Sequence, residues 1–102
     1  MKLPSSQIES LPAELPQWAF SPERGGMLRR EFVFLDFAQA FGFMSQVALH
    51  AERLNHHPEW ANVYHRVSVA LTTHDAGGLT HKDLELARVM DRVAEALARQ
   101  AA

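Results

Sequence analysis

Residues 52–83 read ERLNHHPEW ANVYHRVSVA LTTHDAGGLT HKD, and the layout of the chain follows from this run. Between Asn62 and Thr73 the apolar period is two. Val63, Val67, Val69 and Leu71 share one parity, while Tyr64, Arg66, Ser68, Ala70 and Thr72 take the other. The alternation predicts one half-buried strand over 62–73, its valine face turned to helices. His56, His57 and Pro58 precede this strand and His74 follows it, so three of the six histidines bracket it. Asp75-Ala76-Gly77-Gly78 reads as a turn, after which Thr80, with Asp83 in the box position, caps a final helix.

Upstream, Asp36 with Gln39 three residues on opens a helix from Phe37 to about Leu54, with Asn55 as its stop. Its predicted buried stripe is Phe37, Phe41, Met44, Ala48 and Ala51, widened by Ala40, Phe43, Val47 and Leu54. Gly42 costs about 1 kcal/mol in a helix interior and offers a close approach to the sheet in return. Met27 to Leu35 alternates, with Leu28, Phe32 and Phe34 on one face and Arg29 and Glu31 on the other. Arg30 breaks the pattern. This strand is expected to pair antiparallel with Gln17–Phe20 through the turn at 21–26. A short helix over Ser5–Leu11, capped by Ser5 or Ser6, closes at Pro12. The last helix buries Leu86, Met90, Val93 and Leu97 with Ala87 and Ala94. The order helix, strand, strand, helix, strand, helix predicts an α+β fold: an antiparallel sheet of three to four strands with helices packed on one face. A single domain over 1–102 is expected.

Composition narrows the function classes. Hydrophobic residues at 47% against 22% charged fit a globular chain, and a net charge of -2 leaves no basic stripe for nucleic acid. The absence of cysteine excludes disulfides and cysteine-ligated zinc, and it fits a reducing compartment. Neither a secretory leader at Met1–Ser6 nor a run of about 20 apolar residues is present, so a cytoplasmic protein without a membrane partner is expected.

Chemistry rests on the histidines. An imidazole with an ordinary pKa of roughly 6.5 exchanges protons near neutrality, so a cysteine-free cluster points first to proton transfer and second to metal binding. His56 and His57 follow the C-terminal end of a long helix, and Pro58 turns the two rings apart. Glu52, four residues before His56, is placed to orient that ring. His50, His65 and His81 read as structural or exposed, Asp83 as a cap, and Gly77-Gly78 lacks the surroundings of a phosphate loop.

The run Glu52 to Tyr64, followed by Leu71 to Thr80 and Asp83, closely resembles the pterin-4a-carbinolamine dehydratase family. The family pattern of an acidic residue, His-His-Pro, an aromatic, a His and a later Asp is met by Glu52, His56-His57-Pro58, Tyr64, His74 and Asp83. The Phe41-Gly42-Phe43-Met44 run with Val47-Ala48 looks like the family's central helix. His65 stands where an asparagine is familiar.

The resemblance implies dehydration of 4a-hydroxytetrahydrobiopterin to the quinonoid dihydropterin in tetrahydrobiopterin recycling, with neither metal nor cofactor. By the same resemblance His56 and His74 are the acid/base pair, His57 binds the pterin, and Glu52 tunes His56. Trp60, Asp75 and, less directly, Trp18 are further candidates at the substrate. A homodimer or homotetramer is implied too. The alternative is a binding, dimerisation or enzyme-assembly factor on the same fold, acting through a protein partner; such relatives tend to lose the histidine set.

Overall fold

The computed structural model describes residues 1–101, so the last residue of the expected 1–102 domain lies outside the described residues. The order of elements is α1 (Ser5–Glu14), β1 (Ala19–Ser21), β2 (Met27–Val33), α2 (Phe37–Leu54), β3 (Glu59–Val63), β4 (Arg66–Leu71) and α3 (His81–Ala101). The four strands form one antiparallel sheet in the order β1-β2-β4-β3. Leu28 and Phe32 of β2 and Val67, Val69 and Leu71 of β4 supply its apolar face. They join Leu11, Phe43, Val47, Ala51, Leu84, Leu86 and Met90 from the three helices in one core. The α+β layer with helices on one face is therefore the architecture.

The expected strand over 62–73 is a hairpin instead. β3 and β4 meet at a two-residue loop, Tyr64-His65, where Val63 pairs with Arg66. Tyr64 takes a left-handed backbone at φ 52°, and Asn62 Nδ2 donates to the carbonyls of Tyr64 and Arg66, supplying the turn that no glycine announces. The parity of β4 holds, but Val63 ends on the solvent side, 72% exposed. His65 packs its ring on Tyr64 and accepts the Phe34 N–H at its carbonyl, while its own Nδ1 is buried with no hydrogen-bond partner among the described residues.

Other boundaries shift for local reasons. β1 begins at Ala19, two residues after the expected Gln17. α1 runs through Pro12 to Glu14, and Pro4, with no side-chain cap, precedes it, so neither serine caps it. In α2 the stripe rotates: Ala40, Phe43, Val47 and Ala51 are buried and Met44 is half-buried, while Ala48 is exposed and Phe37 and Phe41 are 50% and 57% exposed. Phe43 against Phe32 and Phe34, with ring centroids at 4.7 and 4.9 Å, sets that rotation. A Cβ at Gly42 would meet open space, so the glycine serves no close approach to the sheet. Arg30 breaks the β2 pattern because its guanidinium lies over the Phe32 ring at 4.1 Å and pairs with Asp91 of α3, which also accepts from Trp18 Nε1.

Candidate active site

α2 ends in a Schellman turn. Asn55 sits at φ 53°, its N–H bonds Glu52 O, and the His56 N–H returns to Ala51 O at 3.0 Å. That reversal points His56 back toward the helix layer, where it is 9% exposed, and sends His57 to the surface. Across from them, Thr73 and Gly78 exchange backbone bonds at 2.9 and 3.3 Å and close a loop whose His74–Ala76 segment is a 3-10 turn. His74 stands exposed on that turn. The elements bring all three imidazoles to one cleft of about 310 Å³, walled also by Asn55, Glu59, Thr72, Thr73, Asp75 and Lys82. The volume lies at the lower end of the range for small-molecule sites.

Asp83 ties this cleft together. Its carboxylate is fully buried and accepts on both oxygens: Oδ1 from His56 Nε2 at 2.6 Å, and Oδ2 from Thr80 N at 2.9 Å and Thr73 Oγ1 at 2.7 Å. The Thr80 contact is the expected capping box at the start of α3. The His56 contact went unread in the sequence. An aspartate in a box position usually filled by glutamate or glutamine was the signal: only one of its oxygens caps the helix, and the other faces the interior. Because Thr73 spends its one proton on Asp83, Thr80 Oγ1 donates to Thr73 Oγ1 at 2.7 Å. An ionised carboxylate only accepts, so neutral His56 carries its proton on Nε2. Nδ1, with its lone pair, is the nitrogen left for a ligand in the cleft.

Glu52 does not reach His56. Its Oε1 meets His57 Nε2 at 2.9 Å, with the two side chains 82% and 61% exposed. The Schellman turn moves His56 off the helix face that the four-residue spacing presumed. Asp75 lines the cleft. Trp60 lies outside its lining, half-buried against the core, and Trp18 sits at Asp91, remote from it. His50, His65 and His81 are likewise outside the lining. Glu59, at the start of β3, takes a two-point bond from Arg24, at 2.8 and 2.9 Å. The guanidinium holds the Glu59 carboxyl below the ordinary carboxylate range, with Arg29 and His74 adding a smaller pull and burial opposing it. Among the described residues, no three His, Asp or Glu side chains converge as a metal-binding group.

Such an arrangement can give and take protons on opposite sides of a small ring system. One imidazole is held by a buried carboxylate, and a second stands exposed in the same cleft.

Comparison with known proteins adds the family. Residues 1–93 match the family model described as Pterin 4 alpha carbinolamine dehydratase. A Novosphingobium aromaticivorans protein named "Putative pterin-4-alpha-carbinolamine dehydratase" is 54% identical over 90 residues, 88% of this chain and 93% of its own. The crystal structure of a transcriptional coactivator/pterin dehydratase from Brucella melitensis superposes with a TM-score of 0.86 at 44% identity, covering 92% of this chain and 99% of that one. A pterin dehydratase-like protein identified as a RuBisCO assembly factor in the alpha-carboxysome superposes at 0.66 over 76% of this chain and 89% of its own. At 22% identity it speaks for the fold alone.

Proposed function

The chain belongs to the pterin 4 alpha carbinolamine dehydratase family, and from that membership we propose that it dehydrates 4a-hydroxytetrahydrobiopterin to the quinonoid dihydropterin and water, in tetrahydrobiopterin recycling. One observation carries the reading: His56, His57 and His74 line a common cleft, with the first oriented by a buried carboxylate. His74 protonates the 4a-hydroxyl, the C4a–O bond breaks, and water leaves. His56 Nδ1 takes the proton from the ring nitrogen, and the electron pair of that N–H bond closes the new C=N bond. The Asp83 carboxylate stabilises the imidazolium formed on His56. One proton enters and one leaves, so the balance is the loss of one water. His57 and Asp75 hold the pterin. Acid–base partners of this kind contribute roughly 10²- to 10⁴-fold each near neutral pH.

Stopped-flow decay of 4a-hydroxytetrahydropterin with wild type and His74→Ala tests the reading. The exposed His74 makes its substitution a small risk to folding. A loss of about 10²-fold or more in rate is expected; an unchanged rate in the variant rejects the assignment.

We further propose a single-domain cytoplasmic homodimer or homotetramer. The exposed Phe37, Phe41 and Leu49 on α2 support self-association, since packing within one chain leaves them uncovered. The same surface favours the second reading, an assembly or dimerisation factor with a protein partner, but the complete histidine set weighs toward catalysis. Among the described residues, no helix is long and apolar enough to cross a membrane.

A further inference from the structure

The loop joining β1 and β2 touches the walls of the cleft at three places without lining it. Arg24, in left-handed backbone at φ 53°, forks onto Glu59, which follows His57-Pro58 directly and forms part of the wall. Gly25 lies so near the His74-bearing loop that a Cβ on it would stand 1.8 Å from the Gly77 carbonyl oxygen. The Gly26 carbonyl accepts from Thr72 Oγ1 at 2.7 Å, and Thr72 is wall as well. One short loop thus bears on the segment after His57 and on the loop that carries His74.

The geometry points to Arg24 as a positioning residue: its fork holds the Glu59 carboxylate at the loop side of the cleft and so fixes the distance between the two histidine-bearing walls. The kinetic part of this inference rests on the dehydration reading; the structural part does not. A bidentate guanidinium places a strong donor on each carboxylate oxygen, which a single point charge cannot do. With Arg24 gone, Arg29 is engaged by Glu23 outside the cleft, and the remaining basic groups that share the cleft with Glu59 are in its own lining. His74 and Lys82 line it, and Lys82 makes no side-chain hydrogen bond or ion pair among the described residues. A carboxylate drawn to either one narrows the space a bicyclic ring must enter and displaces the proton donor.

The test uses the full chain as wild type, Arg24→Ala, Arg24→Lys, Glu59→Gln and the Arg24→Ala/Glu59→Gln pair. Each is followed by stopped flow with 4a-hydroxytetrahydropterin, by urea unfolding and by NMR of the imidazole rings. Arg24→Ala is expected to lower kcat on the order of tenfold, the scale of a small misplacement of reacting groups, with KM moved less. Arg24→Lys, which keeps charge and loses the fork, falls between. In the Glu59→Gln background the Arg24→Ala loss disappears. An undiminished loss in that background overturns the inference, as does a loss accounted for by a lower fraction folded. If wild type gives no turnover, the dehydration reading fails separately, and the ring resonances decide. His57 and His74 signals displaced by Arg24→Ala only while Glu59 is present uphold the brace; undisplaced signals overturn it.

Discussion

Replacing Asp83 separates what holds the fold from what sets the chemistry. In Asp83→Ala three buried or half-buried donors lose their acceptor: His56 Nε2, Thr80 N and Thr73 Oγ1. A buried donor left without its acceptor costs about 1–3 kcal/mol, so three of them together take a large part of the roughly 5–15 kcal/mol that keeps a domain folded. Asp83→Asn keeps the shape and all three contacts, so its cost should be nearer 1–3 kcal/mol. The amide has one oxygen, and the Thr80 N–H and Thr73 O–H both demand it. The NH2 group is left facing His56 Nε2, which must then offer a lone pair and move its proton to Nδ1. The nitrogen facing the cleft is thereby already protonated and cannot accept. Asp83→Asn is expected to keep a cooperative urea transition yet lose about 10²-fold or more in kcat. Long-range nitrogen–proton correlations on the His56 ring report the tautomer directly. Wild-type kcat in Asp83→Asn, with the proton still on Nε2, would refute the tautomer argument.

Glu52→Gln removes only an exposed contact with His57, so the unfolding free energy should change by less than about 0.5 kcal/mol, and any kinetic effect should fall on KM, read from the substrate dependence of the initial rate. Gly42→Ala adds a Cβ into open space within α2 and should raise stability by about 0.5–1 kcal/mol in urea unfolding; a decrease would mean that this face is covered in the assembled protein. The Arg24–Glu59 pair predicts an acid-side effect. The Glu59 carboxyl titrates below its ordinary value in the folded chain, so its contribution is present above the unfolded value of 4.5 and is lost as pH falls through the folded one. Urea midpoints of wild type and Arg24→Ala should therefore differ at neutral pH and converge on acidification.

Periodicity made the layers legible, and particular side chains explain where it stopped. The even parity of β2 and the odd parity of β4 placed Leu28, Phe32, Val67, Val69 and Leu71 correctly, because each strand packs one face on helices. The Tyr64-His65 turn was hidden because the apolar alternation runs on through it and neither residue is a usual turn former. The α2 stripe was ambiguous for a different reason. Apolar residues cover most of that helix, and only the ring contacts of Phe43 decide which of them face inward. Of the candidate site, the three histidines could be grouped from spacing and resemblance, but their second contacts could not. A four-residue spacing joins Glu52 to His56 only while the helix continues, and the left-handed Asn55 ends it one residue too soon.

The cleft owes its position to the ends of elements: the C-terminus of α2, the exit of β4 and the first turn of α3 meet there, and each end carries polar groups that its own element leaves unpaired. Asp83 satisfies one of those groups on α3 while holding a side chain from beyond α2 and another from beyond β4. Orienting His56 therefore calls for no second carboxylate, since the one that holds it also caps the helix. A site assembled this way tolerates variation in the exposed contacts around His57 far better than in the buried ones behind His56. Random substitution should thus yield active variants at Glu52 and, among the described residues at the cleft, almost none at Asp83.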